Sequence, residues 1–175
     1  MDNLQLSQGG CFNLVSAAIA KHASHINLVL TVGTLAHVID GRFYTRAAAA
    51  SQAWTVSGEA GPVSDGSFTG TTRSGVNAAG TTVVGSSRIY GLFMNAAGTL
   101  KVVSGPIVDR AALAVGAAAL HYPPPLKDYV CFGAVRIDIT TAGVSFTPGV
   151  TALNTSGITP TYIDLFCIPA TPLST

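Results

Sequence analysis

A chain of 175 residues with 48% apolar but only 10% charged residues is long enough to bury a real core, and its charge falls far below the roughly 25% usual for soluble domains. Nine Lys/Arg and eight Asp/Glu leave a net charge of +1, scattered singly, which argues against nucleic acid as a partner because phosphate neutralisation drives such binding. No run approaches the roughly 18 apolar residues of a membrane helix, and Leu14–Ala20 lacks the preceding basic residues of a secretion signal, so no membrane or export role is expected.

In chain order, residues 1–25 read as an N-terminal arm with a short helix, and residues 26–175 as a single β-rich domain. Gly9-Gly10 and the lack of a period favour an extended arm over residues 1–12. Asn13 can cap a short helix to about Ser24, with Leu14, Val15, Ala18, Ile19 and His22 along one side; extended chain is the alternative. Asn27–Val32 predicts a strand. Leu35–Ile39 and Arg42–Thr45 flank Asp40-Gly41, the dipeptide favoured in two-residue hairpin turns. Alanine-rich Ala47–Ala53 predicts one or two helical turns before a short strand at Trp54–Val56. Glu59–Gly75, rich in Gly, Ser and Thr, reads as a surface loop.

An internal echo follows. Val76-Asn77-Ala78-Ala79-Gly80-Thr81 returns eighteen residues later as Met94-Asn95-Ala96-Ala97-Gly98-Thr99, and a Val-Val pair follows each. Like turns at that spacing predict an antiparallel meander, with Ser87–Met94 paired to Thr99–Val103. Asp109–Leu120 is helix-compatible, with Asp109 as cap and Gly116 as its weak point. Pro123-Pro124-Pro125 then leads into Tyr129–Gly149. There Cys131, Gly133, Val135, Ile137 and Ile139 fall on one strand face and Arg136 and Asp138 on the other, and Val144–Phe146 can turn back beside them. Thr161–Ile168 is apolar on both faces, which predicts a central or doubly covered strand. The whole predicts a mainly β protein, an antiparallel β-sandwich or jelly-roll-like domain with one or two short helices.

Candidate chemistry is sparse. His22 and His25 could share a helix face, but no third metal ligand accompanies them. There is no GxSxG motif, and His37 and His121 have no recognisable acid partner. Asp138 and Asp164 are the only acids in the firm strands; Arg136 or Arg88 would pair with them. Gly58–Gly70 lacks the Lys-Ser/Thr of a phosphate loop. Asn154-Thr155-Ser156 fits a glycosylation sequon, which has no meaning without export. The three cysteines, Cys11, Cys131 and Cys167, are widely spaced and read as free thiols. No catalytic residue, cofactor or metal is therefore expected. Few charges and many small residues instead point to burial of surface in a homo-oligomer. Leu4, Leu6, Phe12, Arg136 and Asp138 are candidates for that interface, and Trp54, Tyr44 and Phe43 could alternatively form a sugar-stacking platform.

The succession of features resembles small virion proteins of tailed bacteriophages that decorate or cement the head. It runs through Val38-Ile39-Asp40-Gly41-Arg42-Phe43-Tyr44, an Ala-rich lead to Trp54, the AAGTL turn of the Tyr90–Gly105 hairpin, the aliphatic strand Val130–Ile139, Phe146-Thr147-Pro148-Gly149-Val150-Thr151 and the strand Thr161–Pro169. The resemblance implies a structural protein, trimeric by preference, on the outer surface of the virion capsid after passage through the host cytoplasm. Its partner would be the major capsid protein. The alternative is a tail or fibre module that binds host-surface carbohydrate.

Overall fold

The computed structural model describes residues 10–21, 29–53, 66–77 and 79–166. These residues form fifteen strands, β1 (Phe12–Asn13), β2 (Ala20–Lys21), β3 (Val29–Val32), β4 (Leu35–Ile39), β5 (Arg42–Arg46), β6 (Ala49–Ala53), β7 (Phe68–Thr69), β8 (Gly75–Val76), β9 (Thr82–Val83), β10 (Ser86–Asn95), β11 (Leu100–Ser104), β12 (Val108–Asp109), β13 (Tyr129–Ile139), β14 (Ser145–Phe146) and β15 (Ile158–Asp164), and one short helix, α1 (Arg110–Ala114). The protein is mainly β, built of several antiparallel sheets in a sandwich-like arrangement.

The largest sheet has the order β11-β10-β13-β15, with β12 pairing the start of β10. Its two long central strands are buried over most of their length because both faces are covered, with Asn95, Tyr129, Arg136 and Asp138 only partly buried. On one face, Tyr90, Leu92 and Met94 of β10 and Val130, Phe132, Val135, Ile137 and Ile139 of β13 meet Cys11, Leu35, Ile39, Phe68 and Phe146. On the other, Ile89, Phe93, Cys131 and Ala134 pack with Leu113 of α1, Leu120 and Leu165. Fully burying each large apolar side chain contributes about 1.5–3 kcal/mol, so these two layers dominate stability.

A bulge sets which residue goes to which layer. Leu92 pairs with Gly133 but Phe93 pairs with Cys131, so Phe132 is the extra residue. Because side chains alternate with a period of two, one inserted residue reverses the facing of everything beyond it. Cys131 therefore lies on the layer opposite Val135, Ile137 and Ile139, not beside them as strict alternation predicts.

Two local turns follow the sequence closely. Ile39 pairs with Arg42 across a two-residue turn in which Asp40 and Gly41 both have positive φ, 50° and 77°. In the echoed turns, Asn77 Oδ1 accepts from the N–H of Thr81 (2.9 Å) and Asn95 Oδ1 from that of Thr99 (2.8 Å). Gly80 and Gly98 share a φ of 77°, and each donates its N–H back to the asparagine carbonyl.

Other expectations are corrected. No helix spans the described part of residues 13–24: Asn13 lies in β1, and Ala17 and Ile19 are buried in alternation with exposed Ala18 and Ala20, the period of extended chain. Asn13 donates its backbone N–H to Phe166 O instead of capping. Ala49–Ala53 is strand β6, paired with β3, because sheet pairing overrides alanine's helix preference. The helix after Asp109 lasts five residues. The Asp109 carboxylate accepts from Thr71 Oγ1 and ion-pairs Arg73, leaving no cap, and Gly116 at φ 69° closes the helix with Ala117 N–H on Ala112 O.

Val144–Phe146 does not return beside β13; its strand β14 pairs β7. Part of the stretch read as a surface loop is thus core, with Phe68 at 4% exposure packed among Tyr90 and Phe146 rings 6.4 and 6.2 Å away. The final strand starts earlier than predicted, at Ile158, and is an edge, not a centre. Pro160, which has no N–H to give a ladder, sits within it. Residues 167–175 and the His22/His25 pair lie outside the described residues, as does Cys167.

Candidate binding surfaces

The small sheet β1-β4-β5 presents two contrasting faces. Register places Asn13, His37 and Tyr44 side by side across the three strands, and Phe12, Val38 and Phe43 side by side one residue away. Successive residues point to opposite faces, so the first row turns inward and the second outward. Inside, Asn13 and His37 are 2% and 1% exposed, and His37 stacks on Tyr44 at 5.9 Å. Outside, Phe12 and Val38 are half-buried and Phe43 is 62% exposed. Leu14 and Val15, both exposed, follow directly, and the Asn13–Phe166 backbone bond brings exposed Phe166 to the same end. Exposed or half-buried apolar residues from three separate parts of the chain thus gather around this sheet.

The candidate residues sort accordingly. Phe12 and Phe43, drawn from two different expectations, lie on one surface. Phe43 and Tyr44 do not share a platform, since adjacent strand residues face opposite ways; Trp54, Leu4 and Leu6 lie outside the described residues. Arg136 and Asp138 form an ion pair within β13, Nε lying 2.9 and 3.0 Å from the two carboxylate oxygens, and Ser87 of β10 donates to the same carboxylate. At 22% and 13% side-chain exposure the pair is largely covered by its own chain. Asp164 lies far from Asp138 along the sheet and accepts the N–H groups of Ala18 and Ile19 at 3.0 and 2.9 Å. Arg88 donates instead to the carbonyls of Gly105 and Gly66, with its guanidinium 5.6 Å from the Tyr90 ring centre.

Burial governs the displaced titrations. It pushes the Cys11 thiol up, opposed in part by an Asp40 backbone hydrogen bond, while the Asp40 and Asp128 charges each add a smaller raise. It lowers His37, against a smaller opposing contribution from the Asn95 backbone. It raises Tyr162 to about 12. Cys11 and Cys131 are buried free thiols. Among the described residues no group of three His, Cys, Asp or Glu side chains could hold a metal, and no helix is long and apolar enough to cross a membrane.

Two clefts among the described residues carry polar groups. One, of about 390 Å³, is lined by Ile39, Asp40, Arg42, Tyr44, Ala96 and Asp128, and so joins the tip of the Asp40-Gly41 turn to the second echoed turn. The other, of about 410 Å³, is lined by Asn77, Ala79, Val83, Arg110, Leu113, Ala114 and Arg136. The first offers carboxylates and an aromatic ring; the second offers two guanidiniums beside aliphatic wall.

Fold and surfaces together define a class, a mainly β protein with antiparallel sheets and apolar residues exposed around its β1-β4-β5 sheet. Comparison of the chain with protein-family models, with curated proteins and with solved structures finds no match.

Proposed function

We propose that this chain is a structural virion protein that binds the outer surface of a phage capsid and stabilises contacts between capsomers, without catalysis of its own. The observation that carries the reading is the outward row Phe12–Val38–Phe43, extended by Leu14, Val15 and Phe166. Exposed aromatic and aliphatic side chains gathered from distant segments give a docking surface its central anchors. The low charge of the chain and the likeness of its segment order to head-decoration proteins support the same reading. A trimer that places this row against the major capsid protein fits both.

Co-sedimentation with purified empty heads tests the proposal. The protein should saturate the shells at a fixed ratio, and heads stripped of it should release DNA at lower temperature. An oligomer that never travels with shells would end the proposal.

The cleft lined by Asp40, Arg42, Tyr44 and Asp128 favours the second reading, a tail or fibre module for host carbohydrate, because carboxylates and a phenol ring are groups that hold sugar hydroxyls. Saturable glycan binding lost on Asp128→Ala, with no shell binding, would replace the first reading by the second.

A further inference from the structure

The cleft between the β8–β9 hairpin and α1 has its own chemistry, independent of the apolar row. Arg110 spends Nη1 on the Val84 carbonyl at 2.9 Å, and Arg136 engages Asp138 through Nε. Each guanidinium has further N–H donors beyond these. Asn77 commits its side-chain oxygen to the N–H groups of Ala79 and Thr81, at 3.1 and 2.9 Å, so only its amide donors remain. The cleft's lining therefore offers donors and one positive charge in excess of Asp138, while Ala79, Val83, Leu113 and Ala114 supply an aliphatic wall. Its walls are tightly seated: a methyl group on Gly75 would come within 2.9 Å of the Ala111 side chain and 3.0 Å of its backbone.

We infer that this cleft is a binding site for a small organic monoanion, a carboxylate on a short apolar body. A forked guanidinium pairs a carboxylate in two parallel hydrogen bonds, and the half-buried setting of both arginines strengthens that pairing over its value in open water. The volume of about 410 Å³ suits a body of several carbons.

Calorimetry at low ionic strength with hexanoate as probe tests it, with hexylammonium as the same body carrying the opposite charge. Hexanoate should bind saturably at one site per chain and hexylammonium should not. Arg110→Met should weaken hexanoate at least tenfold. Ala114→Phe, which fills the cleft and keeps both arginines, should abolish binding while the circular dichroism of the folded protein is retained. No saturable hexanoate binding, equal binding of hexylammonium, or unchanged affinity in the folded Ala114→Phe protein would each overturn the inference.

Discussion

His37 sits at the centre of the inward row of the β1-β4-β5 sheet, and neither of its ring nitrogens makes a hydrogen bond of good geometry among the described residues, the Asn95 backbone being only a weak partner; Asn13 Oδ1 beside it has none. Its ring pays for desolvation most when charged, which is why burial holds its pKa below the ordinary 6.5. The sign of the consequence is fixed by linkage. Between the lowered folded value and 6.5 the unfolded chain binds more protons than the folded one, so stability rises with pH. The contribution is complete above 6.5 and is lost as pH falls through that value towards the folded pKa. Urea midpoints should therefore drop between pH 7.5 and pH 5, and His37→Gln should flatten that drop. A slope unchanged in the variant would assign the effect to another group. No sequence pattern announces this residue: alternation marks position 37 as inward only once Leu35 and Ile39 are known to face the core.

At the scale of elements, what was legible is what is local. The Asp40-Gly41 hairpin and the two Asn-Ala-Ala-Gly-Thr turns close through neighbours in sequence, so turn chemistry alone determines them. Most of the differences involve partners distant in sequence. Ala49–Ala53 becomes a strand because β3 is available to pair it, and Ser145–Phe146 leaves β13 for Phe68–Thr69, more than seventy residues earlier. One signal was present and missed: Pro160 marks an edge strand. Phe68 provides the measurable difference between a loop and a core strand. Its ring joins Tyr90 and Phe146, and Tyr90 Oη donates to Gly66 O at 2.6 Å, tying the same segment down. Phe68→Ala should cost about 3–5 kcal/mol in denaturant unfolding, the range for a buried phenylalanine. A change within about 0.5 kcal/mol would mean the segment is surface after all.

For the whole molecule, both faces of the large sheet are packed mostly by its own chain, so among the described residues the β1-β4-β5 sheet and the two clefts are the surfaces that offer recognition. The candidate surface was half legible. Phe12 and Phe43 stand out as aromatics in strand patterns, but only the β1-β4-β5 register sets them either side of Val38, and only the Asn13–Phe166 bond adds Phe166, which follows β15. Because Leu14, Phe43 and Phe166 are all exposed, replacing them should leave the folded core intact. The triple variant Leu14→Glu, Phe43→Glu, Phe166→Glu should keep the parent's melting temperature as an isolated chain within a few degrees. If the row docks on the shell, three carboxylates there must be desolvated against an apolar partner, a cost of several kcal/mol that removes measurable binding. Sedimentation with heads should then leave the variant in the supernatant, while Arg110→Met, altered on a different surface, still pellets. A triple variant that pellets as well as the parent would move the shell contact elsewhere on the molecule.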